Sequence, residues 1–427
     1  MIDAVADSAP SPSFGHMQMG EFLRKWISRR LLALNKADVG KVSVAMRALG
    51  GGTPGGAEAL AEFHQLIYEL WQSGGLQCPL ARIKVDEKNC FGRLEWPAVR
   101  SAVYETLPRH YPVTCWKHRA VSEVEQPGVA AAPKDRGAEQ GDVDGSLECG
   151  LTIGGVATRA RQRVHTQQRR GELPWNSQTE GGSTEANLEF DTRAQRVGEW
   201  AGTAPSERRS RDGNKAILTD PSHEIQRHGG LADFWYMDDG DILCHPRLVV
   251  PYFRSFDSED GQVGGERNRS KSEVIYYVDQ QTLDAHAAEW QVPTVQQLAA
   301  VSTAACPSVT LGVATGPQAA LEAQIQQKVE VVRAMHERVA IASDPQTERV
   351  LDRECLGVGR VNHILRAHGD QLLRGGETLD RFDAATRQEM DRLFPGLSEE
   401  GHTQASLAAA FGGLGWRRAS ETVAQRT

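Results

Sequence analysis

The amino-acid sequence predicts an α+β fold in which an antiparallel sheet is backed by helices. Residues 81–86 alternate apolar and polar side chains as a strand does, and residues 274–278 form a second short strand-like run. Residues 234–242 place two adjacent carboxylates between apolar runs, which is typical of a strand, a tight turn and another strand. Apolar residues at helical spacing predict helices that cover such a sheet, the longest over residues 321–339.

Composition sets broad limits on this chain. Its 427 residues are 40% hydrophobic and 24% charged, which is enough for a sizeable core and suggests several domains. The net charge of −8 gives no sign of the basic excess usual in nucleic-acid binders, although a basic cleft can exist on an acidic body. Seven scattered cysteines contain no C-x-x-C pair, so reduced thiols in an intracellular compartment are expected. We expect neither a signal peptide nor a membrane span, because no sufficiently long apolar run occurs.

The remaining elements follow from local patterns. Residues 1–20 are rich in Ser, Pro and Gly and are expected to be disordered. Helices are predicted after the glycine run that ends at Gly56 and again over residues 96–107. Two segments are expected to be loops: residues 121–139 and a polar stretch around residues 257–265.

Residues 157–230 form the most polar part of the chain. They contain few large apolar side chains, and we interpret them as a long insertion that is partly disordered. A cluster of arginines without an intervening acid lies at its start. Its members are Arg159, Arg161, Arg163, Arg169 and Arg170.

The acidic pair Asp238-Asp239 is the most informative feature of the sequence. A hairpin tip would project both carboxylates from a rigid base, and a divalent cation relieves their mutual repulsion. Asp86, at the end of the predicted strand 81–86, is the natural third carboxylate. Three such groups could hold the two Mg²⁺ ions that serve phosphoryl or nucleotidyl transfer.

Four segments, in this order, resemble the palm of reverse transcriptases, the RNA-directed DNA polymerases. The first is Asp86 with Asn89 and Phe91, and the third is Tyr236-Met237-Asp238-Asp239. The second and fourth are residues 137–142, which contain Gln-Gly-Asp, and residues 265–273, which contain Asn and Lys. Segments near the C-terminus resemble reverse transcriptases of the non-LTR retrotransposon type. They are residues 361–366, 404–407 and 412–415.

This resemblance implies a right-hand polymerase architecture with reduced fingers and a helical thumb and C-terminal region. The implied parts are partial fingers (21–80), the first palm part with motifs A and B (81–156), the second palm part with motifs C and D (231–280), thumb and connection helices (281–375) and a helical tail (376–427). The implied activity is DNA synthesis on an RNA template from a DNA primer and dNTPs. It would use two Mg²⁺ ions, for which Mn²⁺ could substitute. The resemblance also implies nuclear residence, whereas protein partners are left unknown. No membrane association is expected.

The resemblance also implies roles for single residues. Asp86, Asp238 and Asp239 would hold both metal ions, which activate the primer hydroxyl and stabilise charge on the transferred phosphate. Lys271 would assist the leaving pyrophosphate, and Phe91 would exclude a ribose 2′-hydroxyl. The nucleotide and template site would be lined by Gln140, Gly141, Tyr236 and Met237. The arginine cluster 159–170 is a candidate for phosphate contacts, with a solvated surface as the alternative.

Departures from the family pattern keep other interpretations open. Residues 41–47 lack the Arg-Pro-Ile-like segment that usually precedes the palm, and Asp142-Val143-Asp144-Gly145 replaces an Asp-Pro-Leu-Gly type of turn. One alternative is therefore a degenerate, catalytically inactive palm that binds nucleic acid. A second is an RNA-directed RNA polymerase, which shares the palm. A third is a nucleotide-sugar glycosyltransferase, because Asp239-Gly240-Asp241 fits an Asp-x-Asp motif.

Overall fold

The α+β class predicted from the sequence is confirmed by a computed structural model. The structure describes residues 22–46, 48–50, 55–76, 79–119, 122–126, 129–134, 136–138, 142–173, 231–294, 298–374 and 377–424. Within them, no helix has both the length and the apolar composition that a bilayer span requires.

The elements of the described chain alternate between short strands and helices of varied length. The strands are β1 (Ala81–Asp86), β2 (Ser122–Gln126), β3 (Val129–Lys134), β4 (Leu231–Tyr236), β5 (Asp239–Cys244), β6 (Glu273–Tyr276), β7 (Ala300–Thr303), β8 (Ser308–Thr310) and β9 (Val313–Thr315). The helices up to β7 are α1 (Phe22–Leu34), α2 (Lys36–Ala45), α3 (Gly56–Gln72), α4 (Cys90–Arg93), α5 (Trp96–Thr106), α6 (Tyr111–Lys117), α7 (Gly145–Arg169), α8 (Val249–Gly261) and α9 (Gln280–His286). Those after β9 are α10 (Gln318–Val339), α11 (Pro345–Leu351), α12 (Asn362–Arg374), α13 (Glu377–Leu393), α14 (Glu399–Ser406) and α15 (Ala419–Ala424).

A five-stranded sheet with the order β4-β5-β1-β6-β7 lies at the centre of the fold. The pairs β4–β5, β5–β1 and β1–β6 are antiparallel as predicted, whereas β6 and β7 are parallel. The expectation of a wholly antiparallel sheet is therefore wrong at this edge. The reason is the connection through α9, which returns the chain to the same end of the sheet before β7 begins.

Each face of the sheet is covered by different helices. Ile83 and Ile242 belong to the face that packs against α7 and α8, where Trp235 stacks on Phe256 with ring centroids 5.2 Å apart. The opposite face carries Phe234, whose ring meets Phe63 of α3 edge to face at 5.4 Å. Burial on both sides makes the sheet a rigid base for whatever its strand ends carry.

Two segments predicted as polar loop or insertion are helical instead. Helix α7 continues from Gly145 to Arg169, so it includes the first part of the predicted insertion. Val156, Ala160 and Val164 lie one turn apart along it and are fully buried, and the polar residues between them conceal this stripe in the average composition. Helix α8 likewise includes residues 257–261 of the expected loop. Residues 174–230 lie outside the described part of the chain.

The expected loop at residues 121–139 also differs from the structure. Strands β2 and β3 pair there as an antiparallel hairpin. Downstream, the predicted helix 321–339 is observed as α10, and its apolar stripe packs in one cluster with residues of α12, α13 and α15. The helical character predicted for the C-terminal region is therefore present in the described residues.

A buried charge network joins α6 to the start of α7. Lys117 Nζ lies 2.5 Å from Asp144 Oδ1 and 3.0 Å from Glu148 Oε2, and these three side chains have no solvent exposure. His110 Nε2 approaches Asp144 Oδ2 at 3.1 Å, and Ser28 Oγ of α1 donates to the same oxygen at 3.0 Å. Although burial raises it, the hydrogen bond from His110 and the charge of Lys117 hold the pKa of Asp144 below its usual range. The network fixes α1 and α6 against α7.

Replacing Lys117 with Met removes the ammonium group of this network. The buried carboxylates of Asp144 and Glu148 then lose their lysine partner. We expect the free energy of unfolding to fall by about 3–5 kcal/mol, the usual cost of breaking a buried ion pair. Urea denaturation at pH 7 measures this loss. Lys36→Met, at an exposed position on α2, is the matched control and should change stability by less than about 0.5 kcal/mol. Equal effects of the two substitutions would contradict the structural role of Lys117.

Candidate active site at the tip of the β4–β5 hairpin

The hairpin tip is formed by a two-residue turn at Met237 and Asp238. Tyr236 pairs with Asp239 across the hairpin, and Met237 has a left-handed φ of 59°. The segment after α2 supports this turn, since Leu49 N–H donates to Trp235 O at 2.6 Å. A Cβ at Gly50 would lie 2.8 Å from Met237 N, so only glycine allows this close approach.

The pairing register brings the third predicted carboxylate to the same place. Asp86, the last residue of β1, lies directly opposite Asp239, the first residue of β5. Directly opposed residues of antiparallel strands project to the same face, with Cβ atoms about 4.5–5.5 Å apart. The adjacency of Asp86 to the acidic hairpin, which the sequence could only suggest, is therefore present in the structure.

Negative charge is concentrated at this strand end. Desolvation, followed by the charge of Asp86, raises the pKa of Asp238. Desolvation and then the charges of Asp238 and Asp86 raise the pKa of Asp239 to about 6, even though its side chain keeps access to solvent. Lys271 opposes the shift of Asp238, and Lys84 opposes that of Asp239. A divalent cation bound here would neutralise the repulsion that remains.

Asp86 is held from the side opposite the hairpin. Asn268 Nδ2 donates to Asp86 Oδ2 at 2.8 Å, and the Asn268 N–H donates to the Asp86 carbonyl at 2.7 Å. Lys271 Nζ lies 3.8 Å from Asp86 Oδ1, and 68% of its side chain is exposed. Lys271 is therefore an ion-pair neighbour of the carboxylates that is free to turn towards a ligand.

Ligation of metal ions by these carboxylates stays a prediction. In the described part of the chain, no group of three His, Cys, Asp or Glu side chains stands in ligating positions. The strand register and the mutual repulsion of the carboxylates favour a cation here. To bind it, the three side chains would have to change their rotamers. Asp86, Asp238 and Asp239 are the residues that would hold it, and oxygen ligands of this kind suit Mg²⁺.

The other residues predicted to line the nucleotide site lie in different parts of the fold, and two of them are outside the described residues. Phe91, on α4, is partly buried against the main core. Tyr236 is half-buried at the end of β4 and packs against the cluster on the α3 side of the sheet. Gln140 and Gly141 lie outside the described residues. The nucleotide-binding roles of these four residues, and that of Met237 in the hairpin turn, stay predictions.

Three arginines of the cluster form ion pairs with carboxylates of α8 and β4. Arg159 Nε lies 2.9 Å from Glu259 Oε2 and Arg163 Nη2 lies 2.6 Å from Glu259 Oε1, which joins α7 to α8. Arg161 pairs with the buried Asp233 of β4. Contact of these three guanidinium groups with phosphates would require breaking these pairs. Arg159 and Arg163 nevertheless keep 45% and 42% of their side chains exposed, so phosphate binding by this cluster stays a prediction beside the alternative of a solvated surface.

Asp241, the second carboxylate of the Asp-x-Asp motif, is also engaged in the interior. Arg82 binds it through two hydrogen bonds of 2.7 and 2.5 Å, and His64 Nε2 lies 2.8 Å from its Oδ1. Although burial raises it, the charges of Arg82 and His64 hold the pKa of Asp241 below its usual range. The glycosyltransferase interpretation needs this carboxylate free for a metal ion, and the structure does not offer it.

Sequence reasoning did not identify a basic surface on α1 and α2. Residues 22–46 contain one acid, Asp38, and it pairs with Arg109 at 3.8 Å. The exposed sides of α1 and α2 carry cations and an exposed Trp26, and we call this set the α1–α2 basic face. It comprises Lys25, Trp26, Arg29, Arg30, Lys36 and Lys41. The signal was available as a positive run with a single acid, but the negative charge of the whole chain obscured it.

Comparison with known proteins gives only a distant likeness. No protein-family model matches the chain, and no curated protein matches it in sequence. Among solved structures, the chain is similar to telomerase from Candida albicans, in complex with a TWJ fragment of telomeric RNA, with 11% sequence identity and a TM-score of 0.38. The match covers 86% of this chain and 48% of that protein, so the chain spans about half its length. A likeness of this degree identifies no shared fold, and conclusions about this chain rest on its own residues.

Repulsion at the hairpin tip predicts that Asp239→Asn stabilises the fold at neutral pH. The pKa of Asp239 is raised to about 6 in the folded chain, against about 3.9 for an unfolded aspartate. At a pH above both values, Asp239 is charged in the folded and the unfolded chain, and its charge destabilises the folded chain. Well below pH 4, Asp239 is protonated in both states, so this destabilisation is absent. The gain in stability should therefore be present at pH 7–8, shrink between pH 6 and 4, and be absent at pH 3. Urea denaturation of both proteins across this range measures it, and a gain that is independent of pH would contradict the account.

Proposed function

We propose that this chain is an RNA-directed DNA polymerase that transfers nucleotides by two-metal catalysis. The observation that carries the proposal is the meeting of three carboxylates at one strand end, where Asp86 lies opposite Asp239 beside the Asp238 turn. These are the first and third of four ordered segments that resemble reverse transcriptases of the non-LTR retrotransposon type. The fourth segment, with Asn268 and Lys271, contacts Asp86 directly.

The chemistry follows from the properties of these residues. Two Mg²⁺ ions held by the carboxylates would activate a primer 3′-hydroxyl and stabilise charge on the α-phosphate. Lys271, whose Nζ lies 3.8 Å from Asp86 Oδ1, would stabilise, or give a proton to, the leaving pyrophosphate. Phe91, which is partly exposed, is the residue that would meet a ribose 2′-hydroxyl.

We propose the α1–α2 basic face as the surface that contacts the nucleic-acid backbone. Helix α1 is fixed to the start of α7 through Ser28 and Asp144, and the chain after α2 runs directly to the hairpin. Under this proposal, cations on this face bind phosphates of a strand whose end reaches the carboxylates. The exposed ring of Trp26 is available for stacking on an unpaired base.

A non-catalytic nucleic-acid-binding protein is the second candidate function. One observation favours it: the described carboxylates do not stand in ligating positions. Salt-sensitive RNA binding without Mg²⁺-dependent synthesis would support this function and would defeat the polymerase proposal.

Primer extension tests the polymerase proposal. With Mg²⁺ and an RNA template annealed to a DNA primer, the chain should incorporate dNTPs in preference to rNTPs. Asp238→Asn should reduce the rate by about 10²–10³-fold or more, a loss typical of removing an electrostatic stabiliser of the transition state. Asp380→Asn, on the exposed side of α13, is the matched control and should keep the rate.

Three results would count against this proposal. No incorporation by the intact chain removes the activity. Incorporation that survives Asp238→Asn removes the residue assignment. A preference for rNTPs over dNTPs would favour the RNA-directed RNA polymerase.

The basic face predicts a salt-dependent contribution to RNA affinity. Because each phosphate contact on a single strand contributes about 0.7 to the slope of log K against log salt, Arg29→Gln with Arg30→Gln should lower that slope by about 1.4. Filter binding of single-stranded RNA at several salt concentrations measures it. The matched change, Arg169→Gln with Arg170→Gln, should have less effect, because α7 carries those residues roughly 35 Å from its start at 1.5 Å per residue. A larger effect of the Arg169 and Arg170 substitutions would indicate that the arginine cluster is the binding surface.

A further inference from the structure

The loop between α8 and β6 crosses the end of β1 and fixes one side chain over Asp86. Asn268 Nδ2 donates to Asp86 Oδ2 at 2.8 Å, while Asn268 Oδ1 accepts from Ser270 Oγ at 2.8 Å. Both ends of the amide are therefore used, and they allow one orientation of it. The main chain adds a second link, because the Asn268 N–H donates to the Asp86 carbonyl at 2.7 Å.

The hydrogen bond from Asn268 gives the two oxygens of the Asp86 carboxylate different surroundings. Oδ2 is occupied by the amide, and Oδ1 has Lys271 Nζ at 3.8 Å, which is beyond hydrogen-bond distance. A donor on one oxygen fixes the plane of the carboxylate and leaves the other oxygen for a ligand. Lys271 cannot set this orientation, because its side chain is mostly exposed and makes no short bond to Asp86.

The loop itself is anchored on both sides. Arg267 donates two hydrogen bonds to Asp257 of α8, at 2.7 and 2.9 Å, and its guanidinium lies 4.1 Å from the centre of the Phe253 ring. On the other side the Lys88 N–H donates to Glu266 O at 2.8 Å, directly after the end of β1. Asn268 is therefore held by a rigid connection between α8 and β1.

We infer that Asn268 is a positioning residue, which sets the Asp86 carboxylate so that Oδ1 faces a divalent cation shared with the hairpin. This inference rests on the metal site of the proposed function. It assigns Asn268 no contact with the substrate. Outer ligands of this type typically change metal affinity by about 10–100-fold when they are removed.

Direct measurement of Mn²⁺ binding tests the inference without relying on activity. Electron paramagnetic resonance of free Mn²⁺ should show affinity weaker by about 10–100-fold in Asn268→Ala than in the wild type. Asn268→Gln keeps the amide donor and should recover part of the affinity. Arg269→Gln is the matched control on the same loop; its side chain is exposed and lies 3.8 Å from Asp257, so Mn²⁺ affinity should not change. Thermal unfolding of each variant checks that the fold is retained.

Primer extension by the same preparations separates this inference from the proposed function. If nucleotide incorporation occurs, the rate of Asn268→Ala should return towards that of the wild type as Mg²⁺ is raised. Unchanged Mn²⁺ affinity in Asn268→Ala, or no Mn²⁺ binding by the wild type, overturns the inference. Mn²⁺ binding that depends on Asn268 and Asp86, in a chain that incorporates no nucleotide, keeps the inference and defeats the polymerase proposal.

Discussion

The register of β1 against β5 is the constraint on which the candidate site depends. Asp86 meets Asp239 only in the observed pairing, and a slip by one residue would send every side chain of one strand to the other face. The apolar pattern of the buried face excludes such a slip. A slip by two residues keeps the faces but moves Asp86 away from Asp239. In one of the two directions it also moves Asp241 away from Arg82, and breaking such a buried pair costs about 3–5 kcal/mol.

The same buried pair extends the constraint beyond the sheet. Arg82 Nη2 donates to Thr310 Oγ1 at 2.7 Å, which connects the β8–β9 hairpin to the sheet behind the acidic strand end. On the other side, Gly50 packs under the turn at Met237 and connects α2 to the hairpin. The sheet and its hairpin are therefore held at two places, while repulsion between carboxylates contributes to the raised pKa values of Asp238 and Asp239. Repulsion of this kind, held in place by a rigid support, is typical of sites that bind a charged ligand.

Much of the site could be predicted from the sequence, because it depends on local patterns. The strand at residues 81–86, the hairpin with Asp238-Asp239 and the helix over residues 321–339 were each predicted from periodicity and turn signals, and each is present. The four ordered segments also placed Asn268 near the site, although its hydrogen bond to Asp86 could not be foreseen. That contact depends on how Arg267 fixes the loop to α8, which is a long-range property of the fold.

The failures have a common physical cause. Helix α7 was divided at residue 156 because average polarity outweighed a buried stripe at one-turn spacing, and the ion pairs that three of its arginines form were not foreseen. Their carboxylate partners lie on α8 and β4, too distant in the sequence for local reasoning to pair them. Burial and ion pairing are set by tertiary contacts, so a charge cluster alone does not distinguish a binding surface from an internal network.

The most direct test of the central claim is the location of Mn²⁺ in crystals of the chain soaked with that ion, by anomalous scattering. The account predicts a peak at the strand end, with Asp86 Oδ1 and the carboxylates of Asp238 and Asp239 as ligands at distances normal for a metal–oxygen bond. No peak at this strand end, or a Mn²⁺ ion bound only elsewhere on the molecule, would contradict it.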